Sequence, residues 1–321
     1  MNISVLGCGR WGSFIGWYLA TNGHKVIQWG LETEPSFQVL KNTGRNEYVE
    51  LHKNIELSCD LGYAIDSSDI LIISISSQAL RSFMKTVTAF DVSEKTFVLC
   101  MKGIEESTGK RLSEVMIESG IDKNKIAVWV GPGHIQAFTQ GKPNCMVIDG
   151  YNKELVRFLA DNLRSNLIRF YYGDDIIGTE IGAAAKNVMG IAAGMLDGGG
   201  YETLKGPLMA RGAREVARLI SKMGGNELSA YGLCHLGDYE TTLFSEFSNN
   251  RRFGEMYVKG EKFSKLAEGV TTAKAMQKLG EIYGEELPIT NAVCNIIYDG
   301  KDPMQVFLSL FGRSGRTEFE K

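Results

Sequence analysis

Two hydrophobic patterns divide this chain. In the first half, short apolar runs recur at Asn2–Leu6, Lys25–Trp29, Asp69–Ile75, Thr96–Cys100 and Lys125–Val130. The run at Asp69–Ile75 is continuously apolar, as a strand buried on both faces of a parallel sheet must be. Asn144–Ile148 and Leu167–Tyr172 add a further strand pair. Helical stretches lie between them, such as Ser77–Val87 and Leu112–Ser119. Alternating strand and helix predicts an α/β class, a Rossmann-like doubly wound sheet. Beyond Asp174 the strand signal fades. Ile176–Leu196 reads as one long helix that ends at Gly198-Gly199-Gly200, and Leu208–Met223, Thr271–Tyr283 and Ile289–Asp299 are also helical. The expected organisation is an α/β domain over 1–174 and an all-helical domain over 175–321. The connection near Tyr172–Asp175 is short, so the two should pack together with a substrate cleft between them.

The first strand runs into Gly7-Cys8-Gly9-Arg10-Trp11-Gly12, and a helical pattern follows through Phe14, Ile15, Tyr18 and Leu19. This is G-x-G-x-x-G between a strand and a helix, where a dinucleotide pyrophosphate binds. Gly7 permits the tight turn. Gly9 lets the pyrophosphate approach the backbone. Gly12 lets helix and strand pack closely, and the helix N-terminus faces the phosphate charge. Residues 1–174 are therefore expected to bind a dinucleotide.

Composition narrows the field. The 321 residues are 44% apolar, enough for a substantial core, and the net charge of −3 gives no electrostatic case for nucleic acid. Six scattered cysteines without C-x-x-C read as reduced thiols of a cytoplasmic protein. Four histidines, none spaced H-x-x-x-H, argue against a metal site. A strand beginning at residue 2 leaves no room for a signal peptide, and no apolar stretch reaches membrane-spanning length.

A nicotinamide enzyme needs a proton donor near the hydride acceptor. Lys186 lies on the long helix among small residues, in Gly182-Ala183-Ala184-Ala185-Lys186-Asn187. Desolvation there would lower its pKa and suit it to acid–base work; the alternative is a surface lysine on an amphipathic helix. Lys102 follows a buried-type strand at its C-terminal end, where ligands bind in such sheets, or else it is a solvated loop lysine. Gly131-Pro132-Gly133-His134 also follows a strand end and exposes backbone N–H groups, unless it is an ordinary loop. Asp238 and Thr242, four apart, share a face if their segment is helical. Ser248-Asn249-Asn250-Arg251-Arg252 suits a phosphate, or is a solvated loop.

Taken in order, these pieces resemble the bacterial NAD(P)-dependent glycerol-3-phosphate dehydrogenase family. The likeness covers nearly the whole chain. It adds Ser77-Gln78-Ala79-Leu80, Lys102-Gly103-Ile104, Glu180-Ile181-Gly182 leading to Lys186-Asn187, and Leu236-Gly237-Asp238. Asn250-Arg251-Arg252-Phe253-Gly254, Glu268-Gly269-Val270, Pro288-Ile289-Thr290 and Asp302-Pro303 continue it. The resemblance implies hydride transfer between nicotinamide C4 and C2 of dihydroxyacetone phosphate, giving sn-glycerol 3-phosphate. It implies that Lys186 is the proton acceptor in oxidation and the donor in reduction, that Lys102 orients the substrate oxygens, and that Asp238 and Thr242 hold the lysines and the substrate. Ser248, Asn249, Asn250 and the N-terminus of the long helix near Lys186-Asn187 would bind the phosphate region, and Gly131 and Gly133 would also touch substrate. Cofactor contacts would come from Gly7, Gly9, Arg10, Trp11, Gly12, Lys102, Ile135, Asn249 and Glu268. A homodimer through the helical domain is implied as well.

The chain departs from the family pattern near the expected substrate pocket. Asn249 stands where an arginine is usual, Gly133 where a serine is, Gln136 where a glutamate is, and Ser76 where a proline is. The stretch between Phe253 and Glu268 is several residues short. These changes leave two alternatives: a dehydrogenase of another small phosphorylated ketone or polyol, or a dinucleotide-binding protein without catalysis. Leu31 occupies a position that is basic in many relatives, and Glu32 is placed to bond a ribose hydroxyl and repel a 2′-phosphate. NAD is the expected cofactor, with NADP the alternative.

Overall fold

The computed structural model describes residues 1–314 and 317–318. Eight strands form one sheet: β1 (Asn2–Leu6), β2 (Lys25–Trp29), β3 (Ile55–Ser58), β4 (Ile70–Ile73), β5 (Thr96–Leu99), β6 (Ile126–Val130), β7 (Asn144–Gly150) and β8 (Ile168–Tyr172). Their order is β3-β2-β1-β4-β5-β6-β7-β8. Every neighbouring pair is parallel except β6 and β7. Seven helices alternate with the strands: α1 (Arg10–Thr21), α2 (Pro35–Thr43), α3 (Leu61–Asp66), α4 (Leu80–Val87), α5 (Leu112–Glu118), α6 (Ile135–Thr139) and α7 (Lys153–Leu163). Strands such as β4 (I-L-I-I) are buried at every residue because helices cover both faces. The order reverses at β1, which has β2 on one side and β4 on the other. The loops after β1 and β4 therefore part and leave a crevice at the carboxyl ends of the strands.

After β8 the chain is helical: α8 (Ile176–Gly198), α9 (Lys205–Lys222), α10 (Asn249–Val258), α11 (Gly269–Tyr283), α12 (Pro288–Ile297) and α13 (Pro303–Ser309). Helix α8 is small or apolar on nearly all sides, so it runs through the middle of this half with almost every residue buried. Its first turn is anchored to the sheet. Asp149 Oδ2 accepts from Thr179 Oγ1 at 2.7 Å and from the Asp175 amide at 3.2 Å. Deeper in, Glu180 pairs with Arg111 at 2.7 Å, both side chains being 7% exposed, and accepts from the Ser113 amide at 2.9 Å.

Helices α8 and α10 meet along glycines. Gly190, Gly194 and Gly198, one helical turn apart, face α10, and Gly254 faces back. A Cβ on Gly194 would lie 1.8 Å from the Arg251 carbonyl oxygen, and one on Gly254 would lie 2.1 Å from that of Ile191. Both obstacles are backbone, so neither can move aside. Gly194→Ala is expected to destabilise the fold by about 3 kcal/mol, at the upper end of overpacking costs, as read by urea unfolding.

The strand and helix readings at Asn2–Leu6, Lys25–Trp29 and Ile176–Leu196 coincide with elements to within two residues. The Asn144–Ile148 and Leu167–Tyr172 pair is parallel and joined by α7. The segment holding Asp238 and Thr242 is not one regular helix. A 3-10 turn (Leu236–Asp238) leads into a wide π-helical turn (Glu240–Phe244). Residues 248–252, open between a phosphate site and a loop, are the cap and first turn of α10. All six cysteines are free. Among the described residues, no helix is long and apolar enough to cross a membrane, and no group of His, Cys, Asp and Glu could hold a metal ion.

Candidate active site

A cleft of about 1,020 Å³ runs from the crevice at the switch of strand order into the helical half. That is the upper end of the range for ligand pockets and suits a dinucleotide with a small second ligand. Gly7 takes φ +127°, and a Cβ there would lie 2.2 Å from the Ser74 carbonyl oxygen. A Cβ on Gly12 would lie 2.2 Å from the Gly7 carbonyl oxygen, so α1 packs directly on the turn. Gly9, by contrast, lines the cleft and faces open space within 4 Å of its Cβ position. That cradle fits a pyrophosphate laid on bare backbone. Trp11 lines the same wall, and its buried indole N–H has no hydrogen-bond partner among the described residues.

The charged centre is built from three elements. Lys102, just past β5, donates from Nζ to the Gly131 carbonyl at 2.6 Å and to Asp238 Oδ2 at 2.7 Å. Lys186, in the third turn of α8, lies 3.1 Å from the same Oδ2 and donates to Thr242 Oγ1 at 2.9 Å. Asp238 is 1% exposed, and Thr241 caps its other oxygen. Burial alone would raise the Asp238 pKa. The charges of Lys102 and Lys186, with hydrogen bonds from Lys102 and Thr241, outweigh burial and hold the carboxyl below the usual range. Burial acts oppositely on Lys186. It pushes the ammonium down to about 8, helped by the charge of Lys102 and opposed by that of Asp238. Lys186 is thus a cation able to give up its proton near neutral pH.

A second network joins the cleft walls. Asn187 Nδ2 donates to the Lys102 carbonyl at 2.8 Å, Asn250 Nδ2 to Asn187 Oδ1 at 3.0 Å, and the Gly269 amide to Asn250 Oδ1 at 2.9 Å. Ser248 Oγ caps α10, accepting from the Arg251 amide at 3.3 Å. Glu268 Oε1 accepts from the Ser77 amide at 3.3 Å and the Ser77 hydroxyl at 3.2 Å, tying the start of α11 to the loop after β4. Burial raises the pKa of this carboxyl.

Most residues singled out from the sequence converge here. Gly7, Gly9, Arg10, Trp11, Lys102, Gly133, Ile135, Lys186, Asn187, Thr242, Ser248, Asn249, Asn250 and Glu268 line the cleft. Asp238, Gly12 and Gly131 stand directly behind that lining. Gly133 has φ +157°, and a Cβ on it would lie 2.3 Å from the Phe138 ring, so a serine could not be accommodated without a shift. Two expectations need correction. Glu32 does not line the cleft; its carboxylate is held by Lys41 at 2.7 Å and Gln38 at 3.2 Å, and Leu31, Glu34 and Ser36 line the wall instead. Lys186-Asn187 are also not at a helix N-terminus, since α8 begins at Ile176. In the helical half, the helix starts that line the cleft are those of α10 and α11. Sequence reasoning gave no site role to Ser77 or Thr241; their signal was that Ser77 opens the Ser77-Gln78-Ala79-Leu80 motif and that Thr241 lies between Asp238 and Thr242.

Residues 2–156 match the family model described as the NAD-dependent glycerol-3-phosphate dehydrogenase N-terminus, and residues 175–308 match the C-terminus model. The chain belongs to the NAD-dependent glycerol-3-phosphate dehydrogenase family. A glycerol-3-phosphate dehydrogenase (NAD(P)+) of Bacillus pumilus is 34% identical over 99% of this chain and 96% of its own length. One from Geobacillus kaustophilus is 35% identical with the same coverage. The crystal structure of a glycerol-3-phosphate dehydrogenase from Coxiella burnetii superposes with a TM-score of 0.89 at 26% identity, covering 97% of this chain and 99% of that one.

Proposed function

We propose that this chain transfers a hydride between a nicotinamide dinucleotide and C2 of dihydroxyacetone phosphate, giving sn-glycerol 3-phosphate. The observation that carries this reading is the Lys186 ammonium, held between Asp238 and Thr242 in the wall of a cleft that a glycine-rich turn opens. Residues 1–174 grip the dinucleotide, and residues 175–321 supply the proton and bind the substrate. When bound, the nicotinamide supplies or accepts the hydride. As negative charge develops on the C2 oxygen, the Lys186 ammonium stabilises it and then delivers its proton. Lys102, fixed on two sides, orients the substrate oxygens. Asp238 keeps both ammonium groups in place and stays ionised throughout. The Asn187–Asn250–Gly269 chain holds the α10 start beside Lys186.

An NADH-oxidation assay across dihydroxyacetone phosphate and related phosphorylated ketones tests this. No turnover on any of them would overturn it and favour a binding protein. A higher kcat/KM on another ketone would reassign the substrate, which is where Gly133 and Asn249 draw attention.

The wall near β2 supports NAD as the preferred cofactor. Leu31 is 51% exposed there and brings no cation for a 2′-phosphate, while Glu34 brings a negative charge. NADH is expected to give a higher kcat/KM than NADPH at saturating ketone; a tenfold preference for NADPH would reverse the assignment.

The pH dependence has a definite sign. Reduction needs Lys186 protonated, so its rate is expected to fall as pH rises through about 8. Oxidation needs the neutral amine, so its rate rises through the same range. Measuring kcat/KM in both directions from pH 6 to 10 checks this, and parallel profiles in the two directions would contradict it.

A further inference from the structure

Three cations line the cleft: Arg10, Lys102 and Lys186. The two lysines are committed to Asp238. Arg10 has no carboxylate partner among the described residues. Its Nη1 donates to the Phe247 carbonyl at 3.3 Å and its Nη2 to Gln136 Oε1 at 3.4 Å, and the guanidinium stands over the Tyr48 ring at 5.5 Å. These partners are neutral and the hydrogen bonds long; a guanidinium on a carboxylate or phosphate sits at about 2.7–2.9 Å. Two of five N–H donors are used, each weakly.

The direction of the side chain matters. Its backbone belongs to the glycine-rich turn, but the guanidinium reaches away from Gly9 to Phe247, next to the α10 cap Ser248. Asn249 brings no charge to that corner, and its Nδ2 is used on the Leu266 carbonyl at 3.2 Å. His134, packed edge-on against Phe247 with centroids 5.7 Å apart, is kept neutral by burial and then by the charge of Arg10, its pKa falling to about 4. Among the three cations that line the cleft, Arg10 is therefore the one without a carboxylate partner, and its guanidinium stands at the α10 cap.

We infer that Arg10 determines specificity for phosphorylated substrate: its guanidinium leaves its two neutral partners and pairs with the phosphate at the start of α10. The identity of the ketone rests on the proposed function, but the anion-binding role does not. A planar fork of donors matches a phosphate two bonds at a time, which a lysine at this position would not do.

The test compares wild type with Arg10→Met and Arg10→Lys in three measurements: steady-state kinetics, NADH titration by fluorescence, and calorimetric titration of inorganic phosphate into the NADH complex. Arg10→Met is expected to raise KM for dihydroxyacetone phosphate about 10- to 100-fold, the size of a lost charge-assisted hydrogen bond, and Arg10→Lys by less. The loss in kcat/KM for unphosphorylated dihydroxyacetone should be smaller, and the NADH dissociation constant should move less than KM does. Phosphate binding should weaken in parallel with KM. An NADH constant that rises as much as KM would overturn the inference and give the guanidinium to the cofactor. Equal losses on both ketones would overturn it in favour of a structural clasp, and so would an unchanged KM. A wild type that binds phosphate through Arg10 yet turns over no phosphorylated ketone would refute the proposed function and leave this inference standing. Phosphate binding equal in wild type and Arg10→Met would refute the inference whatever the turnover.

Discussion

On the proposed function, Lys186→Met is expected to lower kcat by about 10²–10⁴-fold, the usual worth of a positioned acid–base group, with NADH still bound. Methionine keeps the length and the apolar stem but carries no proton. The residue sits on α8, whose packing is set by its glycine and alanine neighbours and not by the lysine tip, so the fold should survive. Fluorescence titration of NADH beside stopped-flow turnover separates the two effects. Retention of near wild-type kcat would remove Lys186 from the chemistry. A loss of NADH affinity as large as the loss in kcat would mean that it serves binding instead.

Asp238→Asn should have the second largest effect, and it acts through both lysines at once. The carboxylate meets Lys102 at 2.7 Å and Lys186 at 3.1 Å on a single oxygen. Without its charge, the two ammonium groups face each other across a buried amide. Removing one side of such a group costs about 3 kcal/mol of stability, moderated here because the lysine side chains keep 17% and 12% exposure. The kinetic signature is more telling. Asp238 raises the Lys186 pKa against burial, so its loss lets that pKa fall further below about 8. In reduction, the fall in rate with rising pH should then begin at lower pH than in wild type. If the variant loses activity with an unshifted profile, Asp238 only supports the fold.

Much of this architecture is legible in the sequence for a simple reason. Strands buried on both faces must be continuously apolar, and β4 and β6 announce themselves that way. Strand β3 (I-E-L-S) lies at the sheet edge with no fully buried residue, so it leaves no such trace. The reversal of β7 against β6 is equally silent, since periodicity carries no direction. Helix α10 escaped for a different reason. It docks by contact of backbone on backbone at Gly254, its one buried residue, and not through an apolar stripe. At the site, motifs placed the lysines and Asp238, but Glu32 could not be told from Glu34. Which acid faces the cleft depends on where Lys41 of α2 lies, a fact of three-dimensional packing.

The glycine seam between α8 and α10 carries one more implication. With backbone packed on backbone at Gly194 and Gly254, and side chains bonded across at Asn187–Asn250 and Asp197–Arg251, the two rods have little room to slide or spread. On the proposed function, the gap from the Lys186 amine to the cap of the shorter rod is then a gauge. On that reading, a ketone with one extra carbon between carbonyl and phosphate would have to buckle to touch both marks, and the pocket would measure the length of its guest.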